Sequence, residues 1–439
     1  MPRTLRFIVH FGLLLSTGCA SIADFLSTPS AVPLASPAST SVTSSTSSPA
    51  GPSATSAPQI GTPANVTPTG TDSPTSEARV LRIWLPPEFD PNSGTPPSNI
   101  LKQRLNDFEA QHPGLQLEIR IKADEGESGL VNSLSVTSMA APAVLPDLIA
   151  LSRPALETAA LKGLLHPLDG LSTTLDDLNW YDYARQLGRI QNTGYGLPFA
   201  GDALVLVYRS EVERINSWND VLASENPLVF AVGDPKALVG LALYVSSGGE
   251  LLDAQGQPTL DQDILTRVLT SFADGTLAGV FSPSLDNLVS NEQVLQAYLG
   301  ERANMAIIWA SDYRAPEGQF TLPLPGLDET SASFATGWVW ALAGSNSENQ
   351  QLAVELADYL VADDFLGTWI SATGYLPTRP DSLAAGEATI NAIVESVQPI
   401  PSNEVLSVLG PLMQDALIRV LNGEKPEVVA ENVIEVLKQ

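Results

Sequence analysis

Seven short segments constrain this chain more than anything else in it. RVLRIWLP (79–86), LQLEIRIKA (115–123), PDLIALS (146–152), LVLVYRS (204–210), PLVFAVG (227–233), NMAIIWA (304–310) and GWVWALAG (337–344) are apolar and rich in β-branched or aromatic side chains. Runs of this kind predict strands. Amphipathic stretches lie between them: in NILKQRLNDFEAQHP, Ile100, Leu101, Leu105 and Phe108 share a helical face, and the pattern stops at His112-Pro113. Ser347 followed by Gln350 predicts a capping box before LAVELADYLVAD, and Pro426 suits the first turn of the last helix. Strands alternating with helices predict α/β lobes with largely parallel sheets. Ligands of such sheets bind beyond the carboxyl ends of the strands, or between lobes.

Everything before residue 79 reads differently. Arg3 and Arg6 precede an apolar run from Phe7 to Leu15 that is too short to span a bilayer, which predicts a secretory signal over residues 1–18. Cys19, the only cysteine of the 439 residues, follows Ser16, Thr17 and Gly18. That context resembles the bacterial lipobox, in which the thiol is lipidated and becomes the first residue; Ser16 stands where the pattern usually has Leu. From Ala20 to Ala78 the chain is Ser, Thr, Pro and Ala with scarcely any charge, too poor in large apolar side chains to build a core. Residues 19–78 are therefore expected to be a lipidated cysteine and a disordered tether, reaching roughly 40 Å.

The remainder, 79–439, is long enough for two ordinary domains or one of two lobes. With 49 acidic against 22 basic residues the net charge is −27. Nucleic acid and anionic lipid surfaces are disfavoured as partners. The search for reaction chemistry is mostly negative. There is no G-x-x-x-x-G-K-[ST] and no G-x-S-x-G, and His112 and His166 each precede a proline. No cofactor and no metal site is expected. A turn explains Gly194 to Gly196, and a β-turn explains Asp253 to Gly256. A carboxylate pair of glycosidase type stays open, because carboxylates are abundant.

The order of segments carries a resemblance. LKQRLNDFEAQHPGLQLEIRI, PDLIALSRPALETAALKGLLHPLDGL, TGYGLPFAGDALVLVYRSEV, INSWNDVLA, SSGGELLDAQGQPTLD, LGERANMAIIWASDY, FTLPLPG, ATGWVWALAGSNSENQQLAVELADYLVA, GYLPTRPDSL and ALIRVLNGEKPEVVAENV run through essentially the whole body. Together they resemble the extracellular solute-binding proteins of bacterial ABC importers, family 1, the maltose and multiple-sugar type. The resemblance implies a type II periplasmic-binding-protein-like fold, with two α/β lobes, a hinge of crossing strands and an interlobe ligand cleft. The crossings are expected near Gly201 to Ala203, in TLPLPG (321–326) and near Val361. Lobe 1 would then hold 79–203 and 325–361, and lobe 2 would hold 204–324 and 362–439. It further implies no enzyme activity, a monomer, permease subunits as partners, and a lipid-anchored position on the outer face of the membrane. The alternatives are a lipoprotein glycosidase and a solute sensor or scaffold without transport.

By the same resemblance the ligand contacts gather at five places: Glu88 with Pro87, Ser152 with Arg153, Phe199 with Asp202, Trp309 with Asp312, and Gly337 with Trp338. A sugar ring offers C–H faces to an aromatic platform and hydroxyl edges to planar carboxylate or guanidinium groups, so these residue types suit it. Trp338 and Trp340 are two apart on a strand and share a face; Trp340 is expected in the core, and Trp338 suits either role. Trp218 is expected to pack in lobe 2. Leu151, where the maltose-type proteins carry an aromatic, and Gly410-Pro411 at a second such position point to a small sugar or similar polar solute, with polyamines left open through Glu88, Asp202 and Asp312.

Overall fold

The computed structural model describes residues 79–438, apart from 317, 329, 332 and 345. Cys19, the signal and the tether lie outside the described residues. Strands form at Arg79–Leu85 (β1), Leu115–Ile121 (β2), Leu148–Ser152 (β3), Arg189–Ile190 (β4), Thr193–Gly194 (β5), Gly196–Arg209 (β6), Leu228–Val229 (β7), Met305–Trp309 (β8), Gln319–Pro323 (β9), Ser333–Leu342 (β10) and Val397–Pro399 (β11). The main sheet runs β2-β1-β3-β10-β6-β8-β7, with β9 also on β6 and β11 on β10; β4 and β5 make a small hairpin.

The strand that organises this sheet is β6. It is buried from Gly196 through Tyr208, as a run with apolar cover on both faces must be. Its first half, to Ala203, pairs antiparallel with β10. From Leu204 it pairs instead with β8 and, across its other edge, β9. One strand thus serves two sheet halves. The sheet is more mixed than the alternation of elements suggests: β1 is parallel to β2 and β3, and β7 to β8, but β10 runs antiparallel to β3 and β6. A strand returning beside the chain that left must oppose it.

One continuous apolar cluster fills both halves. Leu81, Ile83, Leu148 to Leu151, Leu101, Leu105 and Phe108 fill the first half; Ile100 is only partly buried. Around β8, Trp218 packs with Phe272 and Phe281, as a lobe-packing tryptophan should. The helix Ser347–Leu360 is capped by Asn346, one residue earlier than expected, while Gln350 reaches back to the carbonyl of Gly344. After Val361 the chain does not depart for the second half. The helix Asp363–Thr373 packs on the helix Pro96–Gln111, and Arg379 binds Asp363 at 2.7 Å and Asp177 at 3.1 Å. Only after β11 pairs with β10 does the helix Asn403–Leu421 join the second half, against helices Leu238–Ser246 and Gln262–Leu277.

Candidate ligand cleft

Five strands end at one place. Glu88 follows β1, Asp124 and Glu125 follow β2, Ser152 closes β3, Asp234 and Lys236 come after β7, and Trp309 ends β8. These are carboxyl ends of parallel strands, where loops are free to carry binding groups over a fixed scaffold. A cleft of about 500 Å³ opens there, lined by Asp124, Glu125, Ser152, Asp202, Asp234, Lys236, Asn291, Trp309 and the run Thr336–Trp338. Its volume suits a small ligand.

Of the residues expected from the sequence, Ser152, Asp202, Trp309, Gly337 and Trp338 line this cleft. Trp309 is partly exposed and so has a ring face to offer; Trp338 is 9% exposed, with Phe89 edge-on at 5.0 Å. Glu88 borders an adjoining recess of about 230 Å³ with Trp369 and Tyr375, and its carboxylate accepts the Tyr375 hydroxyl. Asp312 stands in the turn after Trp309 and acts on the site through its charge.

Two expected contacts are placed elsewhere. Phe199 is 2% exposed and stacked 4.5 Å from Trp340, so it is packed in the core and does not line the cleft. Arg153 turns along its own helix to Glu157 at 3.2 Å, a salt bridge between largely buried side chains. Glu157 in turn accepts the amide of Asn403 at 3.0 Å, which joins the helix Arg153–Leu161 to the helix Asn403–Leu421. Asp124, Glu125, Asp234 and Lys236 were not anticipated. The rule that picked out the ends of β1, β3 and β8 applies equally to β2 and β7, and it would have found them.

Asp202 sits where β6 changes partners. It is 7% exposed and accepts the amides of Ala203 (2.9 Å) and Ser311 (3.1 Å) and the Ser311 hydroxyl. Burial pushes its carboxyl up to about 7, with the Ser311 hydrogen bonds opposing and the charge of Asp312 adding. Burial likewise raises Asp124 to about 6, helped by Glu125 and Glu88 and resisted by Lys236. Asp312 and Glu88 are exposed by area, yet the protein around their carboxyls displaces enough water to raise both; Glu88 charge adds for Asp312, and the Tyr375 hydrogen bond opposes for Glu88. The cleft is a negative, partly desolvated surface with two indoles in it. Among the described residues, no three His, Cys, Asp or Glu side chains are placed to hold a metal ion.

Residues 103–395 match the family of bacterial extracellular solute-binding proteins. The chain belongs to that family. No curated protein sequence matches it. Among solved structures, the maltose-bound Thermotoga maritima protein MalE3 is similar over 82% of this chain and 99% of its own, at 18% identity and a TM-score of 0.63. The cyclic α-maltosyl-1,6-maltose binding protein of Arthrobacter globiformis shares 15% identity over 82% and 98%, with a TM-score of 0.65. A solute-binding protein from Thermotoga lettingae, bound with α-D-tagatose, shares 20% over 82% and 100%, with a TM-score of 0.59. At these identities the likeness is one of fold, and that fold is the two-lobed periplasmic-binding-protein type.

Proposed function

We propose that this solute-binding protein captures a sugar or similar small polar solute by closing two lobes on it, and hands it to an ABC permease. The observation that carries the reading is the meeting of Trp309, Trp338, Ser152 and Asp202 in one cleft at the strand where the sheet changes partners. A ring face, a hydroxyl and a carboxylate are what a polyhydroxylated ring needs. The maltose and tagatose complexes of structural neighbours support a sugar. We take the lobes to meet at Ala203/Leu204 and between 324 and 333. The third passage is assigned to 397–402, since the segment after Val361 packs on the first half.

Attachment through a lipid on Cys19 completes the proposal: a monomeric receptor held outside the membrane by a tether. Two or more acyl chains anchor durably where one is marginal. Cys19→Ser should abolish acyl labelling, and normal labelling of that variant would remove the anchor from the account.

A thermal-shift screen of sugars and polyamines tests the receptor reading. A ligand at 100 times its dissociation constant adds about 2.7 kcal/mol of stability. The hit should be recovered stoichiometric and unmodified. Recovery of cleaved sugar would replace the receptor with a glycosidase.

A further inference from the structure

The passage at 397–402 ends in a joint. The helix Asn403–Leu421 starts with Asn403, whose backbone amide donates to Glu157 Oε1 at 3.0 Å. Its side-chain amide donates to the Pro154 carbonyl at 2.9 Å and to Thr158 Oγ1 at 3.2 Å. Glu157 is 7% exposed, and its other oxygen accepts from Arg153 at 3.2 Å. A carboxylate at the first turn of a helix satisfies amides that have no partner within the helix, and burial makes the contact costly to break. The start of the helix is thereby fastened to the helix Arg153–Leu161 of the first half. That helix begins at the cleft, where Ser152 and Pro154 form part of the wall.

Further along, the fastened helix carries a wall of the second half. Gln414 donates to the Gly233 carbonyl at 2.6 Å, and a Cβ on Gly410 would stand 2.3 Å from the Pro235 carbonyl oxygen. Helix and loop touch backbone to backbone there, so the loop that brings Asp234 and Lys236 into the cleft must move with the helix. Gly410 lies about 10 Å and Gln414 about 16 Å along the helix from Asn403. The loop itself is not tied to the first half. Among the described residues, no hydrogen bond or ion pair joins Asp234, Lys236 or Asn291 to Asp124 or Glu125, which line the same cleft.

We infer that the helix Asn403–Leu421 is the lever of closure, with Glu157 and Asn403 as its pivot. They are positioning residues: they hold the start of the helix in place while the Asp234 and Lys236 loop swings. The inference rests on the closure reading and says which element turns, and about what point. Without the pivot the start of the helix would slide as well as turn, and the halves would sample a wider range of separations.

Electron–electron double resonance on the full chain tests this with no ligand present. Spin labels are placed by Glu127→Cys and Glu292→Cys, at exposed positions one in each half, and Cys19→Ser leaves no other thiol. The parent should give one narrow distance distribution. Glu157→Ala should broaden it at least about twofold. Glu157→Gln still accepts the Asn403 amide and should stay near the parent. Asn403→Ala loses the bonds to Pro154 and Thr158, and should broaden the distribution even if Glu157→Ala does not fold. Asp363→Ala is the control: it breaks an ion pair to Arg379 within the first half, and should lower the melting temperature with the distribution unchanged. No broadening in Glu157→Ala overturns the pivot, as does equal broadening in Glu157→Gln or in the control. Each of these results leaves the receptor reading standing, since that is decided by the ligand screen.

Discussion

Three tryptophans, two on β10 and one at the end of β8, have different surroundings, and the difference decides what each can do. Trp340 is 2% exposed, against Phe199; Trp338 lies at the cleft edge over Phe89; Trp309 shows a face. Trp309→Ala should weaken ligand binding more than about tenfold, from about 1.5–3 kcal/mol of lost contact, with the melting temperature of the free protein nearly unchanged. Trp340→Ala should instead remove about 3–5 kcal/mol of folding stability. Calorimetry and thermal melts on the two variants check this pair, and a large loss of stability in the first would put Trp309 in the core. Asp202 offers a second test at this scale. Its carboxyl is raised from 3.8 to about 7, so the folded state holds a proton that the unfolded state releases. Asp202 therefore favours folding fully below about pH 4, and this contribution fades as pH rises toward 7. Asp202→Asn should flatten the fall in stability between those limits, measured by denaturant unfolding at a series of pH values. Unchanged slopes would mean that Asp202 ionises normally.

At the scale of elements, the crossing of β6 and β10 depends on backbones closer than side chains allow. A Cβ on Gly337 would sit 2.3 Å from the carbonyl oxygen of Ala200, and one on Gly201 would sit 2.0 Å from the Tyr183 hydroxyl oxygen. Gly337 was expected as a ligand contact; it lines the cleft, but its lack of a side chain is what the strand pairing requires. Gly337→Ala should lower stability by about 1–3 kcal/mol or more through forced separation of the strands, read from chemical denaturation. Wild-type stability in that variant would show that the crossing can relax. The strands themselves were legible because apolar β-branched runs have few other uses, although PLVFAVG yields only the two-residue β7, its remainder being drawn into turns. Trp338 and Phe199 were harder to assign. Whether an aromatic faces a cleft or a core depends on which layer covers it, and the layer over Phe199 comes from Phe89 and Trp369, distant in sequence. Arg153 suits either a ligand contact or a pairing with an acid on sequence alone; the pairing with Glu157 is the one formed, and the Asn403 link to that pair comes from 246 residues away.

Across the whole molecule, two sheet halves share β6, and the one link described above between the helices Arg153–Leu161 and Asn403–Leu421 lies beside the cleft. Capture by closure requires that a ligand draw these halves together. A ligand shifts such an equilibrium only through contacts it makes in one state and not in the other, and groups from both sides of the cleft supply them. Small-angle scattering on residues 79–439, with the tether removed so that its dimensions do not dominate, measures this directly. The radius of gyration should fall by on the order of 1 Å at saturating ligand, with the same midpoint as the change in tryptophan fluorescence. An unchanged radius beside confirmed tight binding would mean a rigid preformed pocket, and would contradict closure as the mechanism.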